Sequence, residues 1–378
     1  DSFIGLVGSE MCIRDRVHIA ERYGRLPLSV SLRPAIILAR DGFPVDRVYR
    51  RMAGYRLSAL RDSAEAAAQF LLDGEVPPQG HRLRQPALAA TLQEISRNGA
   101  RGFYEEEIAE RLVTAVQAGG GIWSRRDLRD YRVVERAPVT ARFGEYRLVS
   151  ANLPSSGGIL LVQMLNMLTA RPLNGLGEVD RIHLLVEVMR RAYADRARYL
   201  GDADHVSVPV ARLLSRGYAY RLAQQIDPAR ATPSPVLSDP SVEGRDTTHF
   251  SVLDAAGNRV AATLSVNYPF GSGFVAAGTG VLLNDEMDDF SAKPGSANAY
   301  GLVGNQANAI APGKRMLSSM SPTFLEGPGR VAILGTPGGS RIISMVLLGL
   351  LDAIDGRPVG DWVASGRFHH QYMPDRIE

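Results

Sequence analysis

The chain contains a single cysteine, Cys12, so no internal disulfide can form. Lysine is almost as scarce: Lys293 and Lys314 are the only two among 43 basic residues, and arginine supplies the rest. These arginines interleave with 40 acidic residues, as in Arg125-Arg126-Asp127 and Asp195-Arg196, leaving a formal net charge of +3. A one-sign basic stripe is therefore missing, which argues against a nucleic-acid partner, and the mixed runs read as solvated surface. Long apolar runs are missing too. The longest, Ile343 to Leu351, falls well short of the ~18 residues that a membrane-spanning helix needs. The seven histidines show no metal-ligand spacing, because His369 and His370 are adjacent and the others are scattered. What remains is ordinary globular composition. With 378 residues, 45% of them hydrophobic, the chain is too apolar for disorder and long enough for one large α/β domain or two smaller ones.

The two ends read as those of a fragment. Residue 1 is aspartate, and no charged-then-apolar leader follows it. Asp1 to Arg16 shows no period continuous with what comes next and resembles translated sequencing-adaptor DNA, so residues 1–16 are expected to be an artefactual leader. The other end stops at Pro374-Asp375-Arg376-Ile377-Glu378 without a helix stop.

Up to about residue 230 the pattern is mainly helical. Ile108, Leu112, Ala115 and Val116 recur at helix spacing before Gly119-Gly120-Gly121. Ser124, three residues before Asp127, predicts a helix start. Ile182, Leu185, Val186, Met189 and Tyr193 form a second amphipathic face. A strand is predicted at Tyr146–Ser150, then a tight loop at Pro154–Gly158 and an apolar helix at Ile159–Leu168. From Thr232 to Asp246 prolines fall among Ser, Asp and Gly, which reads as a linker or exposed loop. After it the period becomes two. Thr247–Leu253 and Arg259–Asn267 are β-rich runs, and Asp254-Ala255-Ala256-Gly257-Asn258 between them predicts a hairpin. A strand at Val331–Gly335 runs into Thr336-Pro337-Gly338-Gly339-Ser340 and an apolar helix at Ile342–Ile354. The expected class is mixed α/β, helix-rich in the first half and strand-rich in the second.

A five-residue hairpin loop sets Leu253 against Arg259 and therefore Thr247 against Ser265. Opposed Cβ atoms lie about 4.5–5.5 Å apart, within reach of a shared hydroxyl hydrogen bond. Thr263, Ser265 and Asn267 then form a polar face, and a one-residue slip would bury it. Thr pairs decorate many sheets, so on periodicity alone a structural role outweighs a catalytic one. His249, two residues beyond Thr247, shares its face. Next, Asn284-Asp285-Glu286-Met287-Asp288-Asp289-Phe290 gathers four carboxylates without the spacing of a calcium loop. It reads either as a solvated turn or as the wall of a pocket for an ammonium group. Ser318-Ser319-Met320-Ser321 offers donors suited to a carboxylate, or is simply a serine-rich loop. Gly338-Gly339, between a strand and a helix, aims backbone N–H groups at whatever lies above the turn.

Taken together, Thr247-Thr248-His249-Phe250-Ser251-Val252, Asn284 to Ser291, Leu317-Ser318-Ser319-Met320-Ser321-Pro322 and Pro337-Gly338-Gly339-Ser340-Arg341 resemble the γ-glutamyltransferase (glutathione hydrolase) family, from about Val17 to the last residue. The resemblance implies an αββα N-terminal-nucleophile fold. It also implies one precursor cut autocatalytically between Asp246 and Thr247 into large (17–246) and small (247–378) portions that remain together as a heterodimer. Thr247 is then the nucleophile, and Ser265, where the family usually has threonine, hydrogen-bonds its hydroxyl. Asn267, Glu286 and Asp289 hold the substrate's α-amino group, Ser318 and Ser319 its α-carboxylate, and Gly338 and Gly339 form the oxyanion hole. The segment Pro294 to Asn305, with Tyr300, resembles the family's lid loop. No cofactor is implied. The implied substrates are a γ-glutamyl donor such as glutathione, with water, an amino acid or a peptide as acceptor. The implied location is periplasmic or secreted. The family's glycine-rich segment and its carboxylate-clamping arginine have no counterpart in these residues. Two alternatives stay open: a related acylase or polyglutamate depolymerase, and an uncleaved, non-catalytic binding remnant.

Overall fold

The computed structural model describes residues 5–8, 12–234, 247–298 and 300–378, in two compact units. Asp246, half of the expected cleavage site, lies outside the described residues. Arg136–Ser265 and Glu286–Glu378, with the first few residues, make one unit; Gly8–Glu135 and Val266–Asp285 make the other. Both units mix residues from before and after position 247.

Two antiparallel arrangements organise the first unit. A four-stranded sheet runs in the order Arg330–Leu334, Thr323–Gly327, Tyr146–Ser150, Val139–Phe143. The apolar helices Gly157–Ala170 and Ile342–Ile354 pack on it and against each other, in a core that includes Ile159, Leu161, Met164, Ile343 and Leu347. Burial on all sides explains why both helices read as continuous apolar runs rather than as amphipathic ones. The second sheet places Arg259–Ser265 between Gly5–Gly8 and Thr247–Leu253. Val149 and Phe324 of the first sheet meet Ala261 of the second in a small apolar cluster.

The hairpin forms in the expected register, with Leu253 opposite Arg259, Ser251 opposite Ala261 and Thr247 opposite Ser265. Its turn is closed by the Asp254 carboxylate, which accepts from the Asn258 backbone N–H at 2.8 Å, and by Gly257 at φ 82°. The second strand ends at Ser265, two residues earlier than its composition suggests. Asn267 has φ 69°, a left-handed conformation that breaks the two-residue alternation, so it does not continue the polar face.

The long helix Glu178–Tyr199 corrects a second expectation. It is not a half-solvated amphipathic helix, and Asp195-Arg196 is not surface: the two residues are 8% and 5% exposed. Glu187, Arg190 and Arg191 are buried with them. Arg125-Arg126-Asp127 are exposed as expected, and Ser124 with Asp127 forms a reciprocal capping box. The expected linker also begins differently. Thr232 and Ser234 are held through their backbone N–H groups by the carboxylates of Glu187 (3.1 Å) and Asp375 (2.8 Å), and Ser234 is buried.

The second unit packs helices around two apolar clusters, to which Phe270, Phe274, Val275, Ala276, Val281 and Leu282 contribute. Its helix Cys12–Arg22 runs across residue 16 without a break. Ile13 and Val17, one turn apart, pack into the cluster of Ile95, Phe103 and Leu112. Only two apolar residues carry the period here, too few to stand out in the sequence. No helix among the described residues is long and apolar enough to cross a membrane.

Candidate active site

The hairpin places Thr247 at the start of a sheet-edge strand, half-buried, with its Oγ1 3.3 Å from Ser265 Oγ. Two residues along, His249 bonds Thr263 Oγ1 through Nδ1 at 2.8 Å and Ser251 Oγ through Nε2 at 3.2 Å. Burial pushes its pKa from 6.5 down to about 4, so the ring is neutral at pH 7 and braces the pair of strands. Buried His369 is likewise held down to about 4 by burial, against the opposing pull of its bond to Gln371. Both folded-state values lie below the unfolded one, so the unfolded chain takes up protons first as pH falls. The stability contributed by the two neutral rings is complete above about pH 6.5 and is lost between there and about pH 4. Denaturant midpoints across pH 4–7.5 are expected to fall in that window, with a shallower fall in His249→Gln; an unchanged slope in that variant would remove His249 from the account.

Glu286–Asp289 is a 3₁₀ turn in which Glu286 is 3% exposed, Asp288 and Asp289 are half-buried and only Met287 faces solvent. A fully solvated acidic turn is therefore not what forms. The Asn308 side chain donates to the Asp289 carbonyl at 2.7 Å, and the Asn298 side chain to the Asp288 carbonyl at 3.3 Å. The same Asn298, through its side-chain oxygen, accepts from the N–H groups of Tyr300 and Leu302 at 3.0 Å each. This ties the acidic turn to the loop that carries Tyr300.

Ser318 and Ser319 sit on a buried segment fastened to Pro154–Gly158. Ser318 N–H donates to the Pro154 carbonyl (2.9 Å), and Ser156 donates to the Ser318 carbonyl through both N–H and Oγ (2.8 Å each). Arg196 reaches this segment from the long helix. Its Nη2 donates to Ser319 Oγ (3.1 Å) and the Leu317 carbonyl (3.2 Å), and its Nε donates to Ser156 Oγ (3.0 Å). Burial lowers the pKa of this guanidinium, while the negative charge of Asp289 opposes the shift. Arg196 thus ties the serine segment to Ser156 and lies within electrostatic reach of Asp289, a role that its sequence neighbour Asp195 disguises as a surface pair. The small residues Ser155, Ser156 and Gly157 also escape sequence reasoning; their signal is a run of minimal side chains ahead of an apolar helix.

Gly338 (φ 139°) and Gly339 (φ 55°) form the bend between Arg330–Leu334 and Ile342–Ile354. A Cβ on Gly339 would lie 2.5 Å from the Tyr300 ring, so only glycine admits both the conformation and the contact. Asn267 belongs to the other unit, where its side-chain amide donates to the Asp285 carbonyl at 3.2 Å. Among the described residues no group of three His, Cys, Asp or Glu side chains is placed to hold a metal ion.

The family model described as gamma-glutamyltranspeptidase matches residues 12–378. The glutathione hydrolase proenzyme of Escherichia coli (strain K12) is 43% identical over 365 residues, covering 94% of this chain and 63% of that relative. The crystal structure of a cephalosporin acylase from Bacillus halodurans aligns with a TM-score of 0.77 at 26% identity, over 91% of this chain and 62% of that one. Helicobacter pylori gamma-glutamyltranspeptidase aligns with a TM-score of 0.56 at 34% identity, over 57% of this chain and 63% of that one. The fold is thus that of the N-terminal-nucleophile hydrolases, mixed α/β with packed antiparallel sheets. Within that class, the chain belongs to the gamma-glutamyltranspeptidase family. It spans a little under two thirds of the length of these three relatives.

Proposed function

We propose that this chain carries the self-cleaving γ-glutamyl transfer site of its family, with Thr247 as nucleophile. The observation that carries the reading is the Thr247–Ser265 hydroxyl pair at 3.3 Å, at the first position of a strand that directly follows the Pro-rich stretch. Attack by Thr247 Oγ1 on the Asp246 carbonyl forms an ester and breaks the peptide C–N bond, the hydroxyl proton passing to the departing Thr247 nitrogen, which becomes the new α-amine; water then hydrolyses the ester to an Asp246 carboxylate and the free Thr247 hydroxyl. The freed α-amino group, with a reference pKa of about 7.7–8.0, takes the Thr247 hydroxyl proton near neutral pH. The hydroxyl oxygen then attacks a γ-glutamyl amide such as that of glutathione. The backbone N–H groups of Gly338 and Gly339 stabilise the tetrahedral oxyanion, and the leaving amine departs with the proton. Water, an amino acid or a peptide takes the γ-glutamyl group from the resulting ester. Glu286 and Asp289 receive the substrate's ammonium, and Ser318 and Ser319 its carboxylate. The family's proenzyme names support maturation from one precursor into two chains. An exported location is part of the same proposal and rests on the family resemblance alone.

A second reading, a related acylase, is favoured by the alignment with cephalosporin acylase. The ammonium site separates the two. Asp289→Ala is expected to raise KM about 10- to 100-fold for a γ-glutamyl anilide, as loss of a charged hydrogen bond would. It should leave a glutaryl anilide, which lacks the α-amino group, within about twofold. Equal losses on both substrates would remove the ammonium assignment. Self-cleavage is tested by intact mass after incubation near neutral pH, where a new chain beginning at Thr247 is expected; a single uncut mass would favour a non-catalytic binding remnant.

A further inference from the structure

Behind the glycine bend lies a buried chain of polar contacts for which the proposed reaction has no use. The Gln371 side-chain amide N–H groups face two backbone carbonyls, those of Tyr300 at 2.9 Å and Met373 at 3.2 Å. Two acceptors on that side fix which end of the amide is nitrogen. Gln371 Oε1 therefore faces His369 Nε2, at 2.9 Å, and that nitrogen must carry the ring proton. His369 Nδ1 is left as an acceptor, 2.5 Å from Ser344 Oγ, which also lies 3.0 Å from the Arg341 carbonyl. The His369 ring stands edge-on to Tyr193 at 5.3 Å, and the Tyr193 hydroxyl donates to the Ser340 carbonyl at 2.5 Å. His369, Gln371 and Tyr193 are 3%, 6% and 1% exposed. One end of the chain thus holds the backbone of Tyr300. The other reaches Ser340 and Arg341, the residues that follow Gly338 and Gly339, through the Tyr193 hydroxyl and through the one Ser344 proton that His369 Nδ1 and the Arg341 carbonyl share. The circuit closes where the Tyr300 ring covers Gly339.

We propose that Gln371 and His369 are positioning residues that couple the Tyr300 loop to the glycine turn, so that the loop's seating sets the aim of the Gly338 and Gly339 N–H groups. This rests on reading those N–H groups as the oxyanion hole. Neither residue touches substrate. Their effect is on the transition state, because an oxyanion donor matters only when charge develops on the substrate oxygen. Burial makes the brace stiff: with water excluded, each polar group has only its protein partner.

Gln371→Met keeps the volume and removes the bonds to Tyr300, Met373 and His369. It is expected to lower kcat for a γ-glutamyl anilide about tenfold, the effect of roughly one hydrogen bond. KM should stay within about twofold. In a Tyr300→Ala background, which removes the ring over Gly339 but keeps the carbonyl that Gln371 holds, the same substitution should cost clearly less than tenfold. A full tenfold loss in that background, or a loss confined to KM, would overturn the coupling. Hydrogen exchange tests it without turnover. In Gln371→Met the amides of 300–302 and of 339–341 are both expected to exchange about tenfold faster, with those of the 254–258 turn unchanged. Faster exchange at 300–302 alone would overturn it, whether or not the chain is active. Wild-type chain that fails to cleave or turn over would count against the proposed function and leave the exchange result to decide this inference.

Discussion

Thr247→Ala is expected to yield a chain that stays in one piece and turns over γ-glutamyl amides roughly 10⁴-fold more slowly, on the scale of losing a nucleophile in a preorganised hydrolytic site. Two functions vanish with one oxygen, because in the proposed mechanism the atom that opens the Asp246–Thr247 bond is the atom that later carries the γ-glutamyl group. Ser265 cannot substitute, since its hydroxyl sits 3.3 Å away on the neighbouring strand and no free α-amine can form beside it. Thr247→Ser is expected to keep both functions at reduced rate. Intact mass and release of a chromogenic amine read the two outcomes separately. Complete cleavage in the alanine variant would sink the nucleophile assignment. Cleavage lost with turnover retained would show that a different group performs the acyl transfer.

Arg196→Met is the second large effect, expected to cut kcat/KM for γ-glutamyl amides by about 100-fold or more. Its guanidinium binds three oxygens of two separate segments and lies within electrostatic reach of Asp289. Removing it leaves the Leu317 carbonyl and the Ser156 and Ser319 hydroxyls short of a donor in a buried site, at about 1–3 kcal/mol for each that finds no replacement. Two such losses account for a fall of about 100-fold. Arg196→Lys is expected to recover little, because a single ammonium cannot reproduce a planar fork bonding through both Nε and Nη2. Near-wild-type kcat/KM in the lysine variant would show that charge alone suffices, and would refute the geometric role. The thermal midpoint should also drop in Arg196→Met, which separates this variant from Asp289→Ala, where a half-buried carboxylate is removed from the turn's edge.

Much of the site is legible in the sequence because it is written in short-range rules. The hairpin register follows from a five-residue loop and a period of two, and it alone puts Thr247 opposite Ser265. The bend at Gly338–Gly339 and the helix start after it follow from residues adjacent in the chain. The capping box of Ser124 and Asp127 is likewise local. Asp195-Arg196 shows where such rules end. An alternating acid–base pair on a helix has the same sequence whether water or protein surrounds it, and only the packing of Glu178–Tyr199 into the core buries it. Asn267 departs from expectation for a related reason: a strand's alternation holds only while the backbone stays extended, and a left-handed residue ends it.

What the sequence determined by itself was the family, the pairing of Thr247, the proposed nucleophile, with its hydroxyl neighbour, and the order of the candidate substrate-binding motifs, all of which depend on local spacing. Tertiary structure decided which charges are buried, that Arg196 ties the serine segment to Ser156, and that Gln371 and His369 stand behind the glycine turn. Those facts join residues far apart in the chain, such as Tyr193 and Ser340 or Tyr300 and Gln371. No periodicity or motif reports a contact of that range, because it is set by how helices and sheets pack, with chain order playing no part.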